Sequence, residues 1–146
     1  MRQVDRSALL PYSAEQMFEL VNDVCAYPAF LPWCNASRII SVEPEVLVAE
    51  LTVARSGITQ SFTTRNLLYR PERIELQLVD GPFKELSGSW DFRSLGQDGC
   101  RVEMQLSFEV DSRLAGVLLE RVFEQATSSL VDAFCQRADA LYDRTD

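Results

Sequence analysis

Between Leu47 and Val110 the chain alternates apolar and polar residues with a period of two. Leu47, Ala49, Leu51 and Val53 alternate with Val48, Glu50, Thr52 and Ala54, and Ile58, Gln60, Phe62, Thr64, Asn66 and Leu68 follow. Ile74, Leu76 and Leu78 are separated by Glu75 and Gln77. Leu86, Gly88, Trp90 and Phe92 form the next run, and Val102, Met104, Leu106, Phe108 and Val110 the last. One dry face and one wet face per strand predict an antiparallel sheet covered on a single side. The breaks between runs are short: Ser56-Gly57, Arg70-Pro71, Asp80-Gly81-Pro82 and Gly96-Gln97-Asp98-Gly99. Such turn chemistry makes sequential strands neighbours in a meander.

The ends of the chain read differently. Gln3 to Leu10 is a short strand-like run stopped by Pro11-Tyr12. Ser13 followed by Gln16 predicts a capped helix start, with Tyr12 and Met17 at staple spacing. Met17, Leu20, Val21 and Val24 then share one helical face. Pro28 and Pro32 predict a turn or a second, short helix. From about Leu114 to Tyr142 the period becomes 3.6. Leu119, Val122, Phe123, Ala126, Leu130, Ala133, Phe134, Ala138 and Leu141 share a stripe. At ~1.5 Å per residue this helix is about 43 Å long. The expected order is β-α-(α)-β-β-β-β-β-β-α, an α+β fold with a curved antiparallel sheet of about seven strands wrapped around a long C-terminal helix. Residues 1–146 are expected to form one domain. Small residues at mid-helix (Ala126, Thr127, Ala133) leave an expected cavity between sheet and helix.

Composition removes several chemistries. The 146 residues include no histidine, which excludes Ser-His-Asp, Cys-His and His-ligated zinc sites. Acidic residues number 22 and basic residues 14, a net charge of −8. That balance disfavours phosphate backbones, so no direct DNA binding is expected, and it disfavours anionic lipid surfaces. Cys25, Cys34, Cys100 and Cys135 match no zinc or redox spacing. With no signal peptide and no span-length apolar run, the reading is a cytoplasmic protein with reduced thiols, a Cys25–Cys34 disulfide being the alternative. No metal is expected. The glutamates at positions 50, 75, 103 and 109 fall on the wet face, and no inward carboxylate pair is evident for acid–base work.

Two long motifs identify a relationship. Val24-Cys25-Ala26-Tyr27-Pro28-Ala29-Phe30-Leu31-Pro32-Trp33-Cys34 resembles the D-V-x-x-Y-P-x-F-L-P-W-C signature of the ubiquinone-binding, polyketide-cyclase-like family. Asp80 to Phe92, DGPFKELSGSWDF, resembles that family's second motif, and Phe62-Thr63-Thr64-Arg65-Asn66 a third. The resemblance implies the helix-grip fold, also called START-like or Bet v 1-like. Within the family the chain is most similar to the bacterial RatA branch of ribosome association toxins. A mitochondrial branch acts as a coenzyme Q-binding chaperone in respiration, and relatives with this fold include aromatase/cyclases. The resemblance therefore implies a non-enzymatic binder of a hydrophobic ligand, a ubiquinone-like quinone or other lipid, with no cofactor required. The alternative is a toxin that binds the large ribosomal subunit and blocks subunit association. A cyclase-type enzyme is a third reading.

Candidate ligand contacts follow. Phe30, Leu31 and Trp33 lie in a proline-stiffened loop that is either a gate, suited to transient membrane contact, or a plug closing the core. Thr64 and Asn66 share the inward face with Phe62 and need partners there, as a quinone carbonyl would supply. Phe83 is placed at the cavity rim, with Lys84 as a donor to a ligand oxygen. Trp90, Phe108, Phe123 and Phe134 are wall or plain core. Ala126, Leu130 and Ala133 are the expected floor.

Overall fold

A computed structural model describes residues 1–111 and 116–142. Seven strands form one open antiparallel sheet: β1 (Arg2–Leu10), β2 (Cys34–Val42), β3 (Val46–Arg55), β4 (Ile58–Tyr69), β5 (Arg73–Asp80), β6 (Phe83–Leu95) and β7 (Gly99–Val110). Their spatial order is β1-β7-β6-β5-β4-β3-β2, so β2 through β7 are sequential neighbours and β1 returns beside β7. Bulges add one residue, Val79, to β5 opposite Thr63/Thr64 and one, Lys84, to β6 between Phe83 and Glu85, and they bend the strands. Phe62, Thr63 and Thr64 are buried in succession where β4 passes the β5 bulge.

Between β1 and β2 lie α1 (Ala14–Asn22), a single 3-10 turn at Val24–Ala26, and the four-residue α2 (Tyr27–Phe30). The capping box at the start of α1 forms: Ser13 Oγ accepts from Gln16 N at 3.0 Å, and Gln16 Oε1 accepts from Ser13 N at 2.9 Å. Met17, Leu20, Val21 and Val24 are buried, as their spacing predicts. The inner face of the sheet follows the alternation closely. Val102, Met104, Leu106, Phe108 and Val110 are all buried along β7. One strand has no such signal. β2 is exposed along nearly its whole length, so no dry face is written into it.

The C-terminal helix is long, and it is broken once. α3 (Gly116–Ser128) and α4 (Leu130–Tyr142) meet at Ser129. The residues there bond back to the helix. Thr127 Oγ1 donates to Phe123 O at 2.8 Å, and Ser129 Oγ donates to Ala126 O at 2.8 Å. Ser129 N also donates to Ala126 O at 3.2 Å, a tightened turn. Hydroxyl back-bonding of this kind bends helices. The bend changes the phase of the stripe: Val131 becomes buried, Leu130 and Ala133 are half-buried, and Leu141 is 45% exposed. The expected start at Leu114 lies outside the described residues.

Candidate functional site

A cavity of about 80 Å³ lies between the sheet and the helices. Its sheet wall is Ala49 and Leu51 of β3, Phe62, Thr64 and Asn66 of β4, Ile74 and Leu76 of β5, Leu86 and Trp90 of β6 and Leu106 of β7. Val21, Val24, Tyr27 and Trp33 close it from the N-terminal helical segment, and Phe123, Thr127, Leu130 and Phe134 from α3 and α4. None of these residues is charged. Ligand pockets commonly enclose ~300–1,000 Å³, so this small chamber admits a single ring or a few waters, and a longer ligand requires the walls to part.

The polar groups in the wall are few. Thr64 Oγ1 donates to Asn66 Oδ1 at 2.8 Å. That bond uses the amide's acceptor and leaves its two N–H donors for another partner. Thr127 is committed to helix carbonyls. The Tyr27 hydroxyl donates a hydrogen bond to Val21 O. Burial holds the Tyr27 phenol well above its usual range, reinforced by the nearby Cys34 thiol and Asp23. Burial likewise pushes up the Cys34 thiol. The indole Nε1 of Trp33 is buried without a hydrogen-bond partner.

The structure gathers Trp33, Phe62, Thr64, Asn66, Trp90, Phe123, Leu130 and Phe134 into the cavity wall as a group. It places the other candidates elsewhere. Phe83 and Phe108 are buried in an edge-to-face cluster with Phe62 and Phe123, with centroid separations of 4.7 to 6.2 Å. Phe83 is therefore core rather than rim. Lys84 sits at the β6 bulge, turned to solvent, with its Nζ 3.7 Å from Glu109. The extra residue in the bulge lets Phe83 stay inward while Lys84 points out. Lys84 is thus no donor to the cavity.

The proline-rich loop is a plug in this state. Tyr27, Leu31 and Trp33 are buried, and Pro28, Ala29 and Pro32 are exposed. Phe30 is half-buried against Tyr27 and Phe134 (6.1 and 5.3 Å), beneath the Arg137 guanidinium at 5.1 Å. It buttresses two wall residues and is not itself in the wall. Leu31 packs in the core. Ala126 is fully buried and Ala133 half-buried, and neither lines the cavity. The small residues that leave the space open are Ala49 and Thr127. The sequence already put Ala49 on the inner face, where it reads as ordinary core. Tyr27 has no periodic signal at all.

Cys25, Cys34, Cys100 and Cys135 are free thiols. No group of three or more Cys, Asp or Glu side chains is arranged to hold a metal ion among the described residues. No helix among them is long and apolar enough to cross a membrane.

An open antiparallel sheet gripping a long helix around an apolar chamber is the START-like, Bet v 1-like architecture. The chain belongs to the family described as "Polyketide cyclase / dehydrase and lipid transport", whose model matches residues 10–135. Within it, the chain is 48% identical over 139 residues to a protein of Pseudomonas aeruginosa named "Ribosome association toxin RatA", covering 95% of this chain and 96% of that one. It is 30% identical to "Coenzyme Q-binding protein COQ10 homolog B, mitochondrial" of Xenopus laevis, over 99% of this chain and 61% of that protein. A START superfamily protein from Mycobacterium smegmatis superposes with a TM-score of 0.78 at 23% identity, over 95% of this chain and 98% of that chain. That likeness concerns the fold alone.

Proposed function

We propose that the chain binds a neutral, apolar small molecule with oxygen acceptors, a ubiquinone-like isoprenoid quinone, in this cavity, and that it does so without catalysis or a cofactor. The observation that carries the reading is a wall free of charged side chains in which the Asn66 amide retains two donors. The apolar wall takes over the role of lipid, and the amide orients a carbonyl oxygen. Each buried CH₂ contributes ~0.8 kcal/mol, so a few isoprene units give useful affinity. Such a ligand enters when the Tyr27–Trp33 plug moves, with transient contact at a membrane. The cavity wall carries no carboxylate among the described residues, which argues against a cyclase-type reaction.

The test is direct, because Trp33 and Trp90 both line the cavity. A short-tailed ubiquinone should quench their fluorescence saturably, and solvent extraction of freshly purified protein should release a quinone or another lipid. Unchanged fluorescence together with an empty extract would overturn the reading.

A second reading rests on the relatives named as ribosome association toxins at 45–48% identity over nearly the whole chain. In it the chain acts in the cytoplasm, binds the large ribosomal subunit and blocks subunit joining. Sedimentation of the purified chain with isolated large subunits, and loss of reassociated ribosomes in its presence, are the expected results. Absence of co-sedimentation removes this reading.

A further inference from the structure

The sheet is open, and its two edges are treated unequally. β1 packs against α3 and α4, and Arg2 ties it to Glu120 at 2.8 Å. β2 is covered only over its first half, where Ser37 Oγ donates to Val24 O at 2.9 Å and the strand meets the 3-10 turn and α2. From Arg38 to Val42 the strand pairs with β3 on one side and meets no other strand among the described residues. An uncovered strand edge presents a row of unpaired N–H and C=O groups. Proteins blunt such edges with lysine, proline or bulges; β2 contains no lysine or proline, and its single guard in this half besides Arg38, which Glu50 holds, is the bulge at Ile40.

The register shows which side chains accompany that free backbone. Ile39 lies opposite Ala49 and Val42 opposite Leu47, so both belong to the inner, apolar face, yet they are 40% and 66% exposed. Ile40, at the bulge, is 49% exposed. Arg38 lies opposite Glu50 on the outer face and is ion-paired with it at 3.0 Å. The β2–β3 turn carries Glu43 and Glu45, both exposed, and neither has an ion pair or a side-chain hydrogen bond among the described residues.

We propose that Arg38–Val42 is a docking edge for an extended polypeptide segment that adds an eighth, antiparallel strand to the sheet. Its residues facing Ile39 and Val42 are apolar. Its N-terminal end, which antiparallel pairing places beside the β2–β3 turn, carries lysine or arginine that meets Glu43 and Glu45. Charge selects this occupant. A second copy would set one chain of net charge −8 against another, with its Arg38 already held by Glu50. A nucleic acid would bring phosphates to two free carboxylates. Strand addition supplies affinity through the main chain and specificity through alternate side chains. The inference is independent of what the cavity holds.

The probe is a synthetic peptide that opens with two arginines and continues as alternating valine and threonine. It should bind in a salt-sensitive manner, with backbone amide NMR shifts confined to β2 and the β2–β3 turn. The double variant Glu43→Lys/Glu45→Lys should weaken it by at least about fivefold, with an unchanged thermal melt because both side chains are free. The same peptide with its arginines at the C-terminal end should bind more weakly, and one N-methylated on its pairing edge should not bind. The proposal is overturned if the double variant binds equally well, if the shifts map away from β2, if the N-methylated peptide binds, or if β2 instead pairs with itself in a dimer seen by sedimentation.

Discussion

Asn66 and Trp33 show how single side chains divide between stability and binding. Asn66 is buried, yet among the described residues one hydrogen bond to Thr64 is its only side-chain partner. Asn66→Leu should therefore leave stability within about 1 kcal/mol in urea unfolding while weakening a short-tailed quinone several-fold, since a hydrogen bond to an unpaired donor contributes about 0.5–1.5 kcal/mol. Trp33 is 3% exposed and forms part of the plug. Trp33→Ala should cost ~3–5 kcal/mol. Trp33→Phe should cost much less, because it also removes an indole N–H that has no partner. Equal losses for the two variants in denaturant titrations would mean that the indole nitrogen is satisfied. Gly88 shows the opposite case, a position with no room. A Cβ there would meet Gln105 O of the neighbouring strand at 2.5 Å. Gly88→Ala should therefore destabilise by ~1–3 kcal/mol, the cost of overpacking.

At the scale of elements, the break at Ser129 decides where the chamber lies. A straight helix would keep Ala126 and Ala133 on one line under the sheet. The back-bonded hydroxyls of Thr127 and Ser129 turn that line, so Thr127 and Leu130 face the space and Ala133 leaves it. The position for a filling test is thus Ala49, in the middle of β3. Ala49→Leu sends its added carbons toward open volume, where burial stabilises by ~0.8 kcal/mol per CH₂. Thermal melts should hold or rise while quinone binding falls. A clear drop in melting temperature with binding intact would show that Ala49 faces a filled core.

For the whole molecule, burial of Cys34, Cys100 and Tyr27 and half-burial of Cys135 shape the response to alkaline pH. The Cys34, Cys100 and Cys135 thiols are pushed above their ordinary 9.0, and Tyr27 above its ordinary 10.0, chiefly by burial. The folded chain therefore holds these protons where the unfolded chain releases them. Their contribution is complete below about pH 9 and is lost as pH rises through the folded values. Melting temperatures should be lower at about pH 11 than at about pH 8, and Tyr27→Phe should remove part of the fall above about pH 10. The exposed ion pairs, such as Arg70–Glu19 and Arg101–Glu103, contribute little to this balance.

The sequence by itself determined the facing of β3 through β7, the capped start of α1 and the grip of a sheet on a long helix. Those features rest on periodicity and local turn chemistry, which act over a few residues and leave a direct mark in the pattern. The inner faces also carried the candidate wall from Phe62 to Asn66, and Trp90 with them. Only the tertiary structure decided the rest. β2 is a strand because β3 offers it an edge, so its exposed residues needed no pattern. Lys84 is outside because a bulge adds one residue to β6. Leu141 is exposed because hydroxyls near Ser129 shift the helix phase. Which inner residues border a void and which pack solidly depends on what stands opposite, and that is set by contacts between elements distant in sequence.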